Sequence, residues 1–170
     1  MRQGDVHDEA LVHELAADAD VLVVAVPACP VDDKGLIDAI PALIAAATKH
    51  NTRVGFVGGA GSLHVADGGP RFVDTPEFHD EWKPEALSHA AVLESLRDGG
   101  EEVDWFYVSP AALFGSFAPG ETTGSYRTGG DVLLTDADGN SEISGTDYAL
   151  AFVDEIDEPS HSRQRFTVAH

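Results

Sequence analysis

The stretch RVGFVGGAGS, residues 53–62, decides the fold of this chain. A short apolar segment, Arg53–Val57, runs directly into the glycine-rich segment Gly58–Ser62. A strand that ends in glycines lets a ligand approach backbone N–H groups at the carboxyl end of a parallel sheet. No helix is predicted to follow at once, because Leu63–Glu81 contains two glycines and two prolines. The junction is therefore predicted to be the rim of a nucleotide-binding α/β site and not its phosphate-binding loop.

Helices and strands are predicted to alternate on both sides of this junction. In chain order, the predicted elements are helix Asp8–Ala17, strand Val21–Val26, helix Lys34–Lys49, strand Arg53–Val57, helix Pro84–Leu96 and strand Trp105–Val108. Beyond Pro110 they are strands Tyr126–Arg127 and Val132–Thr135, a turn at Asp136–Asn140, helix Thr146–Glu155 and strand Gln164–Val168. This order predicts a single α/β domain over residues 1–170, with a helix-covered parallel sheet and a small C-terminal α+β extension.

The segment Val21–Val26 contains no polar residue. Such a composition predicts a strand that is buried on both faces and has a neighbour on each side. Arg53–Val57 supplies one neighbour, but the mostly polar residues before Val21 offer no strand for the other side. An element is therefore expected to be missing beside this strand. The uncovered apolar edge of Val21–Val26 would favour association between copies of the chain.

Composition narrows the classes of partner. The formal net charge is −20 over 170 residues, and only three residues are lysines. A surface this acidic repels nucleic acid and anionic membranes, so neither is expected as a partner. No apolar run reaches the roughly 18 residues needed to span a bilayer, and the polar N-terminus resembles no secretory signal, which predicts a cytoplasmic protein. Cys29 is the single cysteine, so no internal disulfide is possible.

No metal site is predicted. The eight histidines show no paired spacing typical of zinc ligands. The segment Asp136–Asn140 begins like a calcium-binding loop, but Ser141 takes the place of the glycine that such a loop needs at its sixth position. A hairpin turn is the better interpretation of this segment.

Several motifs together resemble the extended and atypical short-chain dehydrogenases/reductases. They are Gly4–Asp8, Val57–Leu63, Trp82–Leu87, Asp104 with Trp105, and Ser109–Ala111. The tail motifs Thr123–Arg127, Ile143 with Ser144, Asp147–Ala149 and Arg163–Val168 are similar to the NADH-flavin reductase-type branch, which is related to biliverdin-IX-beta reductase and NmrA-like proteins. The resemblance covers nearly the whole chain and implies a Rossmann-like, doubly wound parallel sheet. The family opens with a strand, a Gly-x-x-Gly-x-x-Gly loop and a helix that seat the pyrophosphate, and this N-terminal βαβ unit is expected to be missing here.

The resemblance implies a role for each matching residue toward a bound NADP or NAD. Asp5 and Val6 would flank the adenine, and Ala25, Val26 and Pro27 would line the ribose. Gly59, Ala60 and Gly61 would lie beside the nicotinamide together with Ser62, while Ser109, Pro110 and Ala111 would approach the carboxamide and Phe114 would cover the ring. Lys83 would contact the nicotinamide ribose, and His79 stands where the wider superfamily has its catalytic tyrosine. The implied catalytic residues are therefore Ser62, Lys83 and His79.

Each implied role competes with a structural one. Asp5 could cap the first helix, the glycines could serve only the turn, Ser62 could be a turn hydroxyl, and Lys83 could be a surface residue at a helix start. The resemblance implies an NAD(P)H-dependent oxidoreductase that transfers hydride to a small-molecule acceptor, either a flavin such as FMN or FAD, a quinone or a similar compound. A non-catalytic NAD(P)-sensing regulatory module of the NmrA kind is the main alternative, and an inactive truncated fragment is a third.

Overall fold

The computed structural model describes residues 3–170, which form a five-stranded sheet with four α-helices. The elements are α1 (Glu9–Ala17), β1 (Val21–Val24), α2 (Leu36–His50), β2 (Arg53–Val57), α3 (Lys83–Gly99), β3 (Trp105–Ser109), β4 (Arg127–Gly129), α4 (Gly145–Asp157) and β5 (Gln164–Ala169). Short 3-10 turns at Phe72–Asp74 and Asp80–Trp82 lie in the long segment between β2 and α3. Apart from the strand predicted at Val132–Thr135, the predicted order of helices and strands is confirmed, with most boundaries moved by one to three residues.

The strand order is β1-β2-β3-β5-β4. The first four of these strands run parallel, and β4 pairs antiparallel with β5 at one edge. Side chains of successive residues in β3 enter opposite faces of the sheet. Trp105 and Tyr107 pack with α1, α2 and α3, whereas Phe106 and Val108 pack with α4. Helices therefore cover both faces, and the predicted α/β class with a doubly wound, mainly parallel sheet is confirmed.

Local hydrogen bonds explain where the helices begin. Asp8 precedes α1, and its carboxylate accepts the N–H of Leu11. Ser144 precedes α4, and its hydroxyl accepts the N–H of Asp147. The Asp147 carboxylate is fully buried and in turn accepts the N–H groups of Thr123 and Gly124. The N–H of Thr123 contributes most to holding the pKa of Asp147 well below its usual range, and the side chains of His170 and Ser144 and the N–H of Gly124 add to this effect, although burial opposes it. The start of α4 is thereby fixed to the loop before β4.

For Val21–Val26, the expected uncovered edge is confirmed, but the strand is shorter and less buried than its composition predicts. The strand ends at Val24, and Val23 and Val26 are 50% and 39% exposed. Within residues 3–170, β1 pairs with β2 alone and forms an edge of the sheet. Val23 is not among the side chains that pack with α4, so the face of β1 that carries Val23 is open to solvent.

The prediction of two short strands before the turn at Asp136–Asn140 is also corrected. The strand predicted at Tyr126–Arg127 is β4, which runs from Arg127 to Gly129. Val132–Thr135 is not a strand, since only Val132 forms an isolated bridge, with His64. The backbone N–H of His64 donates to the carbonyl of Asp131, and the carbonyl of His64 accepts the N–H of Leu133. These groups on either side of Val132 are therefore hydrogen-bonded to the long loop after β2 and not to a strand of the sheet. The predicted turn is confirmed, and the Asp136 carboxylate accepts the N–H groups of Asp138 and Asn140.

Within residues 3–170, no helix is at once long enough and apolar enough to cross a membrane. No three histidine, cysteine, aspartate or glutamate side chains there lie close enough together to hold a metal ion.

Candidate functional site

A cavity of about 340 Å³ lies where β2 and β3 end. Because the strands are parallel, their carboxyl ends meet at one edge of the sheet, which is where α/β proteins bind ligands. The lining residues come from the glycine turn, the loop after it, α3 and the segment after β3. They are Gly58, Gly59, Ala60, Gly61, Phe72, Phe78, Glu81, Trp82, Glu85, Ala86, His89, Pro110, Ala111, Ala112, Phe114 and Phe117.

Residues 58–61 form the floor of the cavity and are called the glycine floor below. A Cβ atom on Gly58 would lie 2.0 Å from Cε1 of Tyr107, and one on Gly61 would lie 2.7 Å from Cβ of Ala86. The turn passes so close to β3 and α3 that no side chain fits beneath it at either position. The floor therefore presents mainly backbone to the cavity.

Two side chains from β3 fix the glycine floor in place. The Tyr107 hydroxyl accepts the N–H of Gly59 at 3.2 Å and donates to the carbonyl of His89 at 3.2 Å. The Ser109 hydroxyl donates to the carbonyl of Gly59 at 2.9 Å. Burial raises the pKa of Tyr107 to about 12, so its hydroxyl keeps its proton at neutral pH. The floor is consequently held by bonds that do not change near neutral pH.

Four aromatic side chains line the same cavity and are called the aromatic wall below: Phe72, Phe78, Trp82 and Phe117. Phe72 meets Phe78 edge to face, with ring centroids 5.0 Å apart. Trp82 stacks on Phe117 with centroids 4.9 Å apart, and these two rings are 36% and 59% exposed. Exposed aromatic faces beside a cavity are suited to binding a flat ring system.

Glu85 and His89 lie on consecutive turns of α3 and form the polar side of the cavity. The Glu85 carboxylate accepts the backbone N–H groups of Ala28 and Cys29 at 2.7 and 2.8 Å. Burial alone would raise the pKa of Glu85, but these two donors hold it below its usual value. Burial lowers the pKa of His89, and the nearby Glu85 carboxylate only partly offsets this effect. Near neutral pH, Glu85 is therefore ionised and His89 is uncharged.

The structure brings together only some of the residues predicted for the site. Gly59, Ala60, Gly61, Pro110, Ala111 and Phe114 line the cavity together, and Ser109 lies buried beside it. Asp5, Val6 and Val26 line a separate groove of about 330 Å³ on the outer side of β1, called the β1 groove below. Ala25 and Pro27 are exposed and line neither space. Asp5 does not cap α1, which Asp8 does, and its carboxylate instead accepts the N–H of His7.

The three residues predicted to be catalytic are directed elsewhere and do not line the cavity. The Ser62 hydroxyl accepts a hydrogen bond from Nη1 of Arg165 at 2.7 Å. Nζ of Lys83 lies 2.6 Å from an oxygen of Asp80. The exposed His79 ring packs against Trp82, with centroids 4.5 Å apart. Their catalytic roles stay predictions, since the structure does not bring the three side chains together at the glycine floor.

Sequence reasoning missed Glu85, His89 and the aromatic wall. Glu81, Glu85 and His89 recur every four residues, and this spacing places side chains on one face of a helix. That spacing is the signal that could have found them. The aromatic wall gave a weaker signal, because its members are spread over residues 72–117 and only the loop conformation gathers them.

No family model matches the chain. Among curated proteins the chain is similar to the uncharacterised protein YwnB of Bacillus subtilis. The two are 41% identical over 152 residues, which span 88% of this chain and 70% of that protein.

Solved structures match nearly the whole chain. A protein from Burkholderia pseudomallei, provisionally named an exported protein, is 38% identical with a TM-score of 0.84, covering 99% of this chain and 80% of that one. A protein from Streptococcus pneumoniae, provisionally named an NADH-flavin reductase, is 31% identical with a TM-score of 0.79, covering 99% and 79%. A wide-type short-chain dehydrogenase/reductase from Veillonella parvula in complex with NADP is 14% identical with a TM-score of 0.68, covering 99% and 71%, and shows likeness of fold alone.

Proposed function

The chain belongs to the NAD(P)-binding, Rossmann-like reductase branch of the short-chain dehydrogenases/reductases, and from this premise we propose that it reduces a flavin, a quinone or a similar small acceptor with NAD(P)H. One observation carries the proposal. The glycine floor, which lies at the carboxyl ends of two parallel strands, and the aromatic wall line one and the same cavity. Two flat rings, one donating and one accepting hydride, need such a pair of surfaces to lie face to face.

The residues present fit the nicotinamide end of the cofactor. Because the glycine floor presents mainly backbone, a planar ring can lie close against Gly59, Ala60 and Gly61. Pro110, Ala111 and Phe114 border the same space from the segment after β3. The β1 groove, with Asp5, Val6 and Val26, is available for the adenine end. Bound NAD(P)H would supply the hydride.

The chain's own part in the reaction is to orient the reactants. The bonds from Tyr107 and Ser109 hold the floor rigid, so the position of a ring on it would be fixed. Trp82 and Phe117 offer a stacking surface for the acceptor. With Glu85 ionised and His89 uncharged, neither side chain is a ready proton donor at neutral pH. The proton that accompanies hydride transfer would therefore come from solvent through the open side of the cavity, a route that suits a flavin or quinone.

A non-catalytic NAD(P)-sensing module is the second candidate. The observation in its favour is that Ser62, Lys83 and His79 do not line the cavity. Such a module would bind the nucleotide and release it unchanged, with the aromatic wall serving another purpose.

Nucleotide binding and turnover separate these candidates. The chain is titrated with NADH and NADPH by fluorescence, and oxidation of each cofactor is then followed at 340 nm with a flavin or a naphthoquinone. The titration is made at about 0.5 M salt, which screens the repulsion between the charge of −20 and the anionic cofactor, and assays at lower salt use a correspondingly higher concentration of cofactor. Saturable binding with acceptor-dependent oxidation supports the reductase. Binding without oxidation favours the sensing module, and absence of binding contradicts both.

A further inference from the structure

The charges around the cavity restrict the kind of acceptor that can enter it. Among the lining residues, the groups that carry charge near neutral pH are the carboxylates of Glu81 and Glu85. Glu81 is exposed at the rim, and Glu85 lies deeper, with its side chain 40% exposed. Among residues 3–170, no lysine or arginine contributes to the lining. Any group that enters the cavity therefore meets negative charge and aromatic surface.

The basic side chains nearest to these lining residues in the sequence are already paired with carboxylates. Lys83 is paired with Asp80 at 2.6 Å, and Arg71 with Asp74 at 2.8 Å. Arg165, which donates to the Ser62 hydroxyl, is buried and shares the carboxylate of Asp131 with Arg97. The carboxylates of Asp80 and Asp74 cancel much of the attraction that Lys83 and Arg71 would exert on an anion in the cavity. Asp131 cancels part of the attraction exerted by Arg165. The net charge of −20 adds to the repulsion.

Aromatic stacking supplies the attraction that remains. The faces of Trp82 and Phe117 bind flat rings through contact area and do not require charge on the ligand. A ligand gains these contacts without penalty only where none of its anionic groups, on the ring or on a side chain, lies near the two carboxylates.

On the basis of the proposed function, we infer that the acceptor is an uncharged planar aromatic compound, a quinone or a flavin without phosphate, and that Glu81 and Glu85 exclude phosphorylated flavins. Riboflavin and FMN carry the same isoalloxazine ring and differ by the phosphate group. Their hydride chemistry is therefore the same, and a difference in their use by the chain reports on charge. Both accept one hydride from NAD(P)H and one proton from solvent, which yields NAD(P)⁺ and the two-electron-reduced flavin.

The test compares kcat/KM for riboflavin and FMN, with the same nicotinamide cofactor in both assays. We expect riboflavin to be preferred by about tenfold or more at 0.05 M salt, and the preference to shrink as added salt screens the carboxylates. Glu81→Lys replaces a carboxylate at the cavity with an ammonium group and is expected to reduce the preference at least about threefold. Asp98→Lys makes the same charge change on α3, about 20 Å along the helix from Glu85, and is expected to leave the preference unchanged.

The same comparison by binding separates this inference from the proposed function. Quenching of flavin fluorescence gives dissociation constants for riboflavin and FMN without any turnover. The inference is supported if riboflavin binds more tightly than FMN and if Glu81→Lys, but not Asp98→Lys, reduces this difference. That support holds even where no cofactor is oxidised. Absence of oxidation would then count against the reductase alone. FMN that binds or reacts as well as riboflavin overturns the inference while leaving the reductase intact. Equal effects of Glu81→Lys and Asp98→Lys also overturn it, since they show a response to net charge only.

Discussion

The carboxylate of Glu85 accepts the backbone N–H of Ala28 over 2.7 Å, and this bond joins the helix beneath the cavity to the loop that follows β1. The neighbouring N–H of Cys29 donates to the other oxygen of the same carboxylate at 2.8 Å. Glu85 thus ties the loop that follows β1 to the helix that lines the cavity.

Removal of this side chain is expected to loosen the loop. Glu85→Ala leaves both N–H groups without their acceptor and should lower the free energy of unfolding by about 2 kcal/mol. Glu85→Gln keeps one acceptor oxygen and should lose about half as much. Urea unfolding measures both values, and amide hydrogen exchange at Ala28 and Cys29 locates the effect. Unchanged exchange at these two amides in Glu85→Ala would contradict this account of the loop.

His89 is expected to make the stability of the fold dependent on pH. Because burial lowers its pKa in the folded state, the unfolded chain binds more protons once the pH falls below the ordinary histidine value of about 6.5. The contribution of His89 is therefore fully present above that value and is lost as the pH falls toward its folded pKa. His7 acts in the opposite sense, since the Gly35 carbonyl and Asp5 raise its pKa.

A His89→Gln variant isolates this contribution from that of His7. Urea midpoints are measured for the original chain and the variant at pH 8 and at pH 5.5. The loss of stability between the two pH values should be smaller in the variant, because glutamine does not titrate. Identical losses in the two proteins would show that His89 is not held uncharged by burial.

The aromatic wall is expected to determine acceptor binding. Trp82→Ala removes the ring that stacks on Phe117 and should raise the KM for the acceptor about tenfold, while Trp82→Phe should raise it by less. The KM for NAD(P)H should change little, because the cofactor is proposed to lie on the glycine floor. Steady-state kinetics with both substrates varied provides the measurement. An equal rise of both KM values would place the cofactor, and not the acceptor, against Trp82.

Gly58 is expected to tolerate no side chain. In Gly58→Ala the new methyl group would lie 2.0 Å from the fully buried ring of Tyr107, so one of the two must move. The free energy of unfolding should fall by about 2–3 kcal/mol. Gly99→Ala is the matched control, because a Cβ there meets no atom within 4 Å and alanine favours the helical backbone. Denaturant titrations of the two variants should therefore shift in opposite directions, and a neutral Gly58→Ala would refute the tight packing beneath the floor.

The open edge at β1 is expected to promote association of the chain with itself. Val23 and Val153 are each 50% exposed, but Val23 lies on the edge strand and Val153 on α4. Val23→Lys places a charge on the edge and should shift the chain toward monomer, whereas Val153→Lys should not. Sedimentation velocity at high salt measures the distribution. Equal behaviour of the two variants would mean that association, where present, uses another surface.

Apolar periodicity was sufficient to predict the fold. The strand at Arg53–Val57 and the helices on either side of it carry strong patterns bounded by glycine and proline, so local sequence determines where they begin and end. The burial of β1 could not be predicted in the same way. An apolar composition indicates that a strand can be buried, but the number of its neighbours depends on how the sheet is assembled.

The sequence predicted the candidate site only in part. It located backbone positions at the strand ends, but it did not give the directions in which side chains point. Backbone positions such as Gly59 and Ala111 lie at strand ends, and their location follows from the topology. Lys83 and Glu85 are two residues apart, which places them about 200° apart around a helix axis. Because the sequence predicts the first residue of a helix only to within a residue or two, it cannot show which of these two side chains faces the cavity. The structure places Glu85 there and Lys83 beside Asp80.

The position of β5 between β3 and β4 has a consequence for how the protein is made. Phe106 of β3 pairs with Gln164 of β5, across 58 residues of chain, and within residues 3–170 β4 is attached to the sheet only through β5. During synthesis, β1, β2 and β3 leave the ribosome well before residues 164–169. Until those residues emerge, β3 has an unpaired edge and β4 has no strand to join. The first half of the sheet can form on the ribosome, but the second half assembles only once residues 164–169 have emerged, and this interval is when the nascent chain is most open to misassociation.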